Sequence, residues 1–455
     1  MDAFVIEGGR RLEGRLRING AKNAALPLMA AALLTDQPVT LRDVPPLADI
    51  RNMATLLTEI GCPRTDDGTE DGVIRLHSTD ESRSHARYDI VRTMRAGICV
   101  LGPLLARRGE ARVSLPGGCA IGDRPIDLHL RGLVALGATI ILKGGDIIAK
   151  APRRRLQGGR VFLGGAFGST VLGTANVMCA AALADGQTII ESAACEPEIV
   201  DLAQMLTAMG ANLRGAGSPR IIIEGVRELK GVDHRVIPDR IEAGTLMCAA
   251  AITNGSLILE NCPLDSMMAV SDRLEAAGVQ VQAMDREGRP SHDQVPAGVD
   301  PMRVTVRVAS ERVLRPVEIT TQPHPGFPTD LQAQLMALLT LAEGNSVITE
   351  KIFPERFLHV AELSRMGARL FRQGPTVIIS GVRRLVGAPV MASDLRASAS
   401  LVLAGLAAEG TTIVNRVYHL DRGYHKMEDR LASVGASVRR VDDKELAGTQ
   451  LVAAE

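Results

Sequence analysis

The sequence repeats itself, and that repetition limits its possible folds more than any other feature. NAALPLMAAALLTDQPVTLRDVPPLADIRNMATLLTEIG, ending at Gly61, matches STVLGTANVMCAAALADGQTIIESAACEPEIVDLAQMLTAMG, ending at Gly210. Three further copies end at Gly278, Gly367 and Gly435, and residues 88–137 form a sixth, more divergent one. Each copy predicts an Ala/Leu-rich helix, a turn, a short strand such as VTL or TII, and an amphipathic helix that stops at the glycine. Glycine suits that stop because it reaches the left-handed conformation without a Cβ clash. Alternating stretches such as ATIILK and TVIISG then predict more strand. The glycines lie about 68 to 89 residues apart, and the widest gap holds MDREGRPSHDQVPAGVDPMR, which predicts a surface excursion. Two helices and short strands per copy favour two lobes of three α/β units over a solenoid. The first helices, apolar on most faces, should lie inside their lobe, with a small-molecule cleft between lobes.

Composition narrows the function classes. Over 455 residues, 52 basic and 52 acidic side chains cancel, so no strong field favours nucleic acid or an anionic membrane. The absence of Trp and the scarcity of Tyr and Phe argue against base-stacking platforms. No secretory signal opens the sequence, and runs such as AALPLMAAALL are too short to span a bilayer. The seven cysteines form no C-x-x-C pair and no metal-ligand spacing, which predicts free thiols in a reducing, cytoplasmic setting and no bound metal; no cofactor is expected either.

Several short stretches carry possible chemistry. SLPGGCAIGDRP sets Cys119 among Gly117, Gly118 and Gly122, with Arg124 close enough to lower a thiol pKa. Local chemistry alone leaves Cys119 open between a small buried hydrophobe and a reactive thiol. GAKNAA puts Lys22 and Asn23 at a helix start, where Asn is a good N-cap and anions bind. Arg92 and Arg95, three apart, predict one helical face. In HPGFPTDLQAQ, Asp330 follows two prolines and could cap the next helix or serve as a base. HLDRGYH offers Asp421 and Arg422 as an anion site or a surface ion pair. GGAFGST lacks the lysine of a P-loop, and no G-x-G-x-x-G follows a strand.

In order along the chain, GAKNAALP, RTMRAG, SLPGGCAIGDRPIDLHL, EPEIVDLA, PDRIEAGT, HPGFPTD, HVAELSRMGA, DLRASASLVLAG and HLDRGY resemble the enolpyruvyl transferase family. The likeness is to its branch that acts on UDP-N-acetylglucosamine, and it runs from near residue 20 to near residue 427. It implies a two-lobed inside-out α/β barrel of six βαβαββ units. One lobe would be residues 1–21 with 238–455, and the other residues 22–237 with the active-site loop. It implies phosphoenolpyruvate and the nucleotide sugar as substrates. Cys119 resembles the general acid, and Asp330 the acceptor of the hydroxyl proton. Lys22, Arg124 and Arg422 match phosphate and carboxylate clamps. Asn23 matches a residue that binds both reactants, and Arg95 a position near the nucleotide. Pro125, Ile126, Asp127, Leu128, Ile352 and Arg396 match further substrate-binding positions. Two departures stand out. The phosphate loop is longer than the usual S-V-G-A-T, so the diphosphate contact falls among Ser169, Thr170, Val171 and Gly173, with Thr170 and Val171 expected. Cys195 stands where Arg is common, with Glu196 and Glu198 retained.

Overall fold

The structure, a computed structural model, describes residues 2–442 apart from residues 67, 117–125, 292–294, 297 and 312. The chain divides into two compact units. Among the described residues, one comprises 2–19 and 238–442, and the other 20–237.

In the unit of residues 20–237, three helices are buried almost throughout: Lys22–Ala31, Leu101–Arg108 and Val171–Ala182. At Gly102 two of these helices approach closely. A Cβ on Gly102 would fall 2.2 Å from the Asn176 carbonyl oxygen. Three sheets accompany these helices. Their strand orders are Val232–Arg235, Val39–Arg42, Ile74–Leu76; His85–Ala86, Glu110–Ser114, Asp146–Lys150, Thr139–Lys143; and Arg160–Phe162, Gln187–Glu191, Arg220–Glu224, Asn212–Arg214. A short hairpin, Gly164–Gly165 with Gly168–Ser169, stands apart from them.

The other unit repeats the plan. Its buried helices Arg240–Ile252, Gln332–Leu339 and Leu395–Ala407 pack on one another. Its sheets run Glu13–Arg17, Ser256–Cys262, Val304–Ser310, Val279–Met284; Glu318–Thr320, Asn345–Thr349, Thr376–Ser380, Arg369–Gln373; and Pro389–Met391, Thr411–Asn415, Asp2–Glu7, Ser437–Asp442. In all six larger sheets the first two strands are parallel and the rest antiparallel. Each unit has its own hydrophobic core.

The repeat expected from sequence is therefore present as α/β units, with one rearrangement. Glu13–Arg17 directly precedes helix Lys22–Ala31, yet it pairs with Ser256–Cys262. Val232–Arg235 precedes helix Arg240–Ile252, yet it pairs with Val39–Arg42. Each unit thus takes one leading strand from the chain that is about to leave it. The six helix-ending glycines, Gly61, Gly137, Gly210, Gly278, Gly367 and Gly435, all have positive φ, between 80° and 105°. Among the described residues of the polar insertion after Met284, 286–290, 298, 300 and 301 are exposed, as a surface excursion requires.

Candidate active site

Helix Lys22–Ala31 begins where the chain is pinned tightly. A Cβ on Gly20 would sit 1.7 Å from the Asp43 carbonyl oxygen, and Ala21 N–H donates to the Ile237 carbonyl at 2.7 Å. That clamp makes Ala21 the N-cap residue, so Asn23 is not the cap expected from sequence but the helix's second residue, half-buried. Lys22 is buried, and its ammonium meets the buried Asp49 carboxylate at 3.1 Å. A buried ammonium of this kind needs a paired anion to stay charged.

Arg92 and Arg95 do not share a helical face. Met94 is extended (φ −150°, ψ 115°), so Arg92 ends the short helix Tyr88–Val91 while Arg95 opens the 3-10 helix Arg95–Val100. Arg95 is half-buried. Ile126 occupies the N-cap of helix Asp127–Ala135, with Asp127 exposed in its first turn and Leu128 half-buried. Thr170 caps helix Val171–Ala182, its Oγ1 accepting from Gly173 N–H at 3.2 Å. Gly173 is thereby committed within the helix, and the half-buried Thr170 and Val171 stand at its start. Cys119, Arg124 and Pro125 lie outside the described residues.

A residue that sequence reasoning missed organises this half. Asn176, 1% exposed, donates to the Ile98 carbonyl at 3.0 Å and to His129 Nδ1 at 2.9 Å. Its carbonyl oxygen accepts from Gly102 N–H at 2.8 Å. One amide therefore fastens together the three helical segments that carry Arg95, Asp127–Leu128 and Thr170–Val171. An amide in a helix that is apolar apart from it and Thr174, VLGTANVMCAAA, was the available signal.

In the other unit Asp330 lies within the 3-10 turn Thr329–Leu331 and does not cap the following helix, whose N-cap is Leu331 with no side-chain bond. Its carboxylate instead faces two guanidiniums. Oδ1 accepts from Arg356 Nη1 at 2.8 Å and Oδ2 from Arg396 Nη2 at 3.1 Å. Here both partners of each bond are ionised, whereas a cap would offer only neutral N–H donors, so the guanidiniums set the side chain's direction. Both arginines are nearly buried, whereas the Asp330 side chain keeps 27% exposure. Arg396 also donates to Tyr424 Oη at 3.1 Å and lies 5.5 Å from that ring's centroid. Burial opposes its charge, but Asp330 and Tyr424 outweigh that and hold its pKa above the ordinary arginine value. Burial pushes the Tyr424 phenol upward, so it remains a neutral partner. Arg356 was not anticipated. Its place before Phe357 in FPERF was the available signal, and its guanidinium lies 5.8 Å from the Phe353 ring.

Ile352 lies beside this pair, its N–H donating to Glu350 Oε1 at 2.8 Å. Arg422 closes the 3-10 helix Val417–Arg422, two residues before Tyr424, and is half-buried. Asp421 takes the ion-pair option, holding Arg440 at 2.6 Å. Burial and the neighbouring Glu196 push the Cys195 thiol upward, away from thiolate character.

A family model described as EPSP synthase (3-phosphoshikimate 1-carboxyvinyltransferase) matches residues 6–431. The sequence is 51% identical, over 98% of its length and 100% of the relative's, to a UDP-N-acetylglucosamine 1-carboxyvinyltransferase of Methylacidiphilum infernorum (isolate V4). It is 52% identical to one of Maricaulis maris (strain MCS10), over 97% of this chain and 100% of the other. Among solved structures, the enolpyruvyl transferase NikO from Streptomyces tendae is similar with a TM-score of 0.83 at 25% identity, covering 97% and 99% of the two chains. EPSP synthase from Acinetobacter baumannii shares the fold, with a TM-score of 0.73 at 17% identity over 97% and 100%. Among the described residues, no helix is long and apolar enough to cross a membrane.

Proposed function

The chain belongs to the UDP-N-acetylglucosamine 1-carboxyvinyltransferase family, and from that premise we propose that it transfers the enolpyruvyl group of phosphoenolpyruvate to the 3′-hydroxyl of UDP-N-acetylglucosamine, releasing phosphate. The observation that carries this reading is the 51% identity over almost the whole of both chains to relatives bearing that name. A cytoplasmic place, at the first committed step of peptidoglycan synthesis, belongs to the same reading.

In the addition, the acceptor oxygen bonds to carbon 2 of phosphoenolpyruvate while carbon 3 takes a proton. Elimination then expels phosphate from carbon 2 and returns a proton from carbon 3, restoring the double bond. Cys119 supplies the first proton, and its thiolate can add to carbon 2. Asp330 accepts the hydroxyl proton. Support for that role comes from its two guanidinium partners, which fix the direction of both oxygens while the carboxylate keeps partial exposure. Lys22, Arg124 and Arg422 offset the charge of the donor, and Arg396 orients Asp330 and binds substrate. Asn23, Arg95, Pro125 through Leu128, Thr170, Val171 and Ile352 hold the nucleotide sugar. Thr170 heads a helix whose first N–H groups suit a diphosphate.

The deciding measurement is phosphate release from phosphoenolpyruvate with UDP-N-acetylglucosamine, run beside shikimate 3-phosphate. Release with the nucleotide sugar is expected. Release with shikimate 3-phosphate alone would overturn the assignment in favour of the other acceptor.

A further inference from the structure

Glu350 is fully buried, and its four described partners are all neutral donors. Oε1 accepts from Thr321 Oγ1 at 2.7 Å and from the Ile352 and Phe353 N–H groups at 2.8 and 3.0 Å. Oε2 accepts from Thr329 Oγ1 at 2.9 Å. A hydroxyl has one proton to give, so Thr329 spends it on Glu350 and turns a lone pair elsewhere. That lone pair receives Arg356 Nη1 at 3.0 Å, and the same Nη1 reaches Asp330 Oδ1 at 2.8 Å. The order of donation is therefore fixed along four residues: Thr329 to Glu350, and Arg356 to both Thr329 and Asp330. Thr321 follows the same logic on the other side, giving its proton to Glu350 and accepting Lys351 N–H at 2.9 Å.

We propose that Glu350 is a positioning residue for Asp330, acting through Thr329 and Arg356. This rests on Asp330 being the base of the proposed reaction. Arg356 can only donate, and the carboxylate at position 350, by taking the Thr329 proton, turns a Thr329 lone pair toward Arg356, which is thereby held where it bonds one Asp330 oxygen from the side. Neutralising Glu350 removes that compulsion. In Glu350→Gln the new amide nitrogen would compete as a donor for the same hydroxyl, letting Thr329 rotate and Arg356 swing off Asp330. The base would then lose a contact that favours its ionised form. Thr329 precedes Asp330 directly, so the effect has a short path.

The test uses the full chain, with the wild type first shown to release phosphate with the nucleotide sugar. A silent wild type overturns the functional reading itself; the comparisons among variants judge Glu350 separately. Glu350→Gln and Thr329→Val are each expected to lower kcat about tenfold or more, with the KM for UDP-N-acetylglucosamine within about threefold. Thr329→Val, which changes no charge, should shift the acid limb of the kcat–pH profile to higher pH. The double variant should be no slower than the slower single one, because both break one path. Thr329→Ser, which keeps the hydroxyl, should stay within about threefold of wild type. Should Glu350→Gln fail to fold, the Val and Ser variants at position 329 carry the test. Unchanged kcat in Thr329→Val, an unmoved acid limb, or losses that multiply in the double variant would each overturn the proposal.

Discussion

Asp330 carries a guanidinium on each oxygen, and the functional proposal makes its sharpest demand there. Asp330→Asn keeps the shape but removes proton acceptance, so phosphate release should fall by about 10²- to 10⁴-fold. Calorimetric binding of UDP-N-acetylglucosamine should survive, and near-normal turnover would exclude Asp330 as the base. Cys119 is tested by mass. The epoxide fosfomycin, a mimic of phosphoenolpyruvate, should add one equivalent at this thiol in the presence of nucleotide sugar, and an unchanged mass would count against it. His359 makes a prediction about stability. It is fully buried, and desolvation brings its pKa down to about 4. Between that value and the unfolded value near 6.5, only the unfolded chain takes the proton. Its contribution is therefore complete above about pH 6.5 and is lost as pH falls toward 4, up to about 3 kcal/mol in all. Denaturant melts of His359→Leu should show a flatter pH dependence over that interval. At this scale the sequence disclosed residue types but not their orientation. Asp330 and Asn23 both looked like helix caps from their neighbours. Asp330 was drawn away by Arg356 and Arg396, and Asn23 was displaced when Gly20 and Ala21 fixed the helix start earlier.

Elements were far easier to read than side chains, because each is specified by a local pattern. The six terminal glycines, the short strands and the Ala-rich helices all stand where periodicity put them. Helix Leu395–Ala407 is buried from Arg396 to Leu406, as an all-round apolar run requires. Asn176 and Arg356 escaped notice because their partners are distant in sequence, 74 and 47 residues away for the Asn176 contacts to Gly102 and His129. The glycines also differ in what surrounds them. Gly210 has φ 105° with nothing within 4 Å of a built Cβ, so Gly210→Ala should cost only the left-handed backbone penalty, about 1–2 kcal/mol. Gly61 shares the conformation, but its Cβ would lie 2.0 Å from the Asp80 carbonyl oxygen. Gly61→Ala should destabilise clearly more, and urea midpoints of the two variants check the order. Equal losses would mean that the Asp80 loop yields without resistance.

For the molecule as a whole, the unit of residues 20–237 is an insertion within the other. All strands of its three sheets lie inside that span, whereas the second unit needs both Asp2–Glu7 and Glu13–Arg17 from the start of the chain. Residues 20–237 expressed alone should melt cooperatively. Residues 238–442 alone should not, because Asp2–Glu7 is the central partner of both Thr411–Asn415 and Ser437–Asp442. Rejoining residues 2–19 to them through a short linker should restore a cooperative transition, measured by circular dichroism. Periodicity alone did not disclose their interleaving, since Glu13–Arg17 and Val232–Arg235 each stand next to a helix whose sheet they do not join.

That interleaving also dictates an order of events during synthesis. The strand DAFVIE leaves the ribosome early, yet its partner Thr411–Asn415 follows only after the whole inserted unit and most of its own. At about 5–20 residues per second, the intervening stretch of roughly 400 residues makes the wait on the order of 20–80 s. Through that interval an apolar strand with two unsatisfied edges is a target for wrong pairing with other nascent chains. The inserted unit can finish folding meanwhile, so a growing chain carries a completed body preceded by an unpaired ribbon. Early collapse of that body leaves the ribbon as the part of the growing chain most open to wrong pairing.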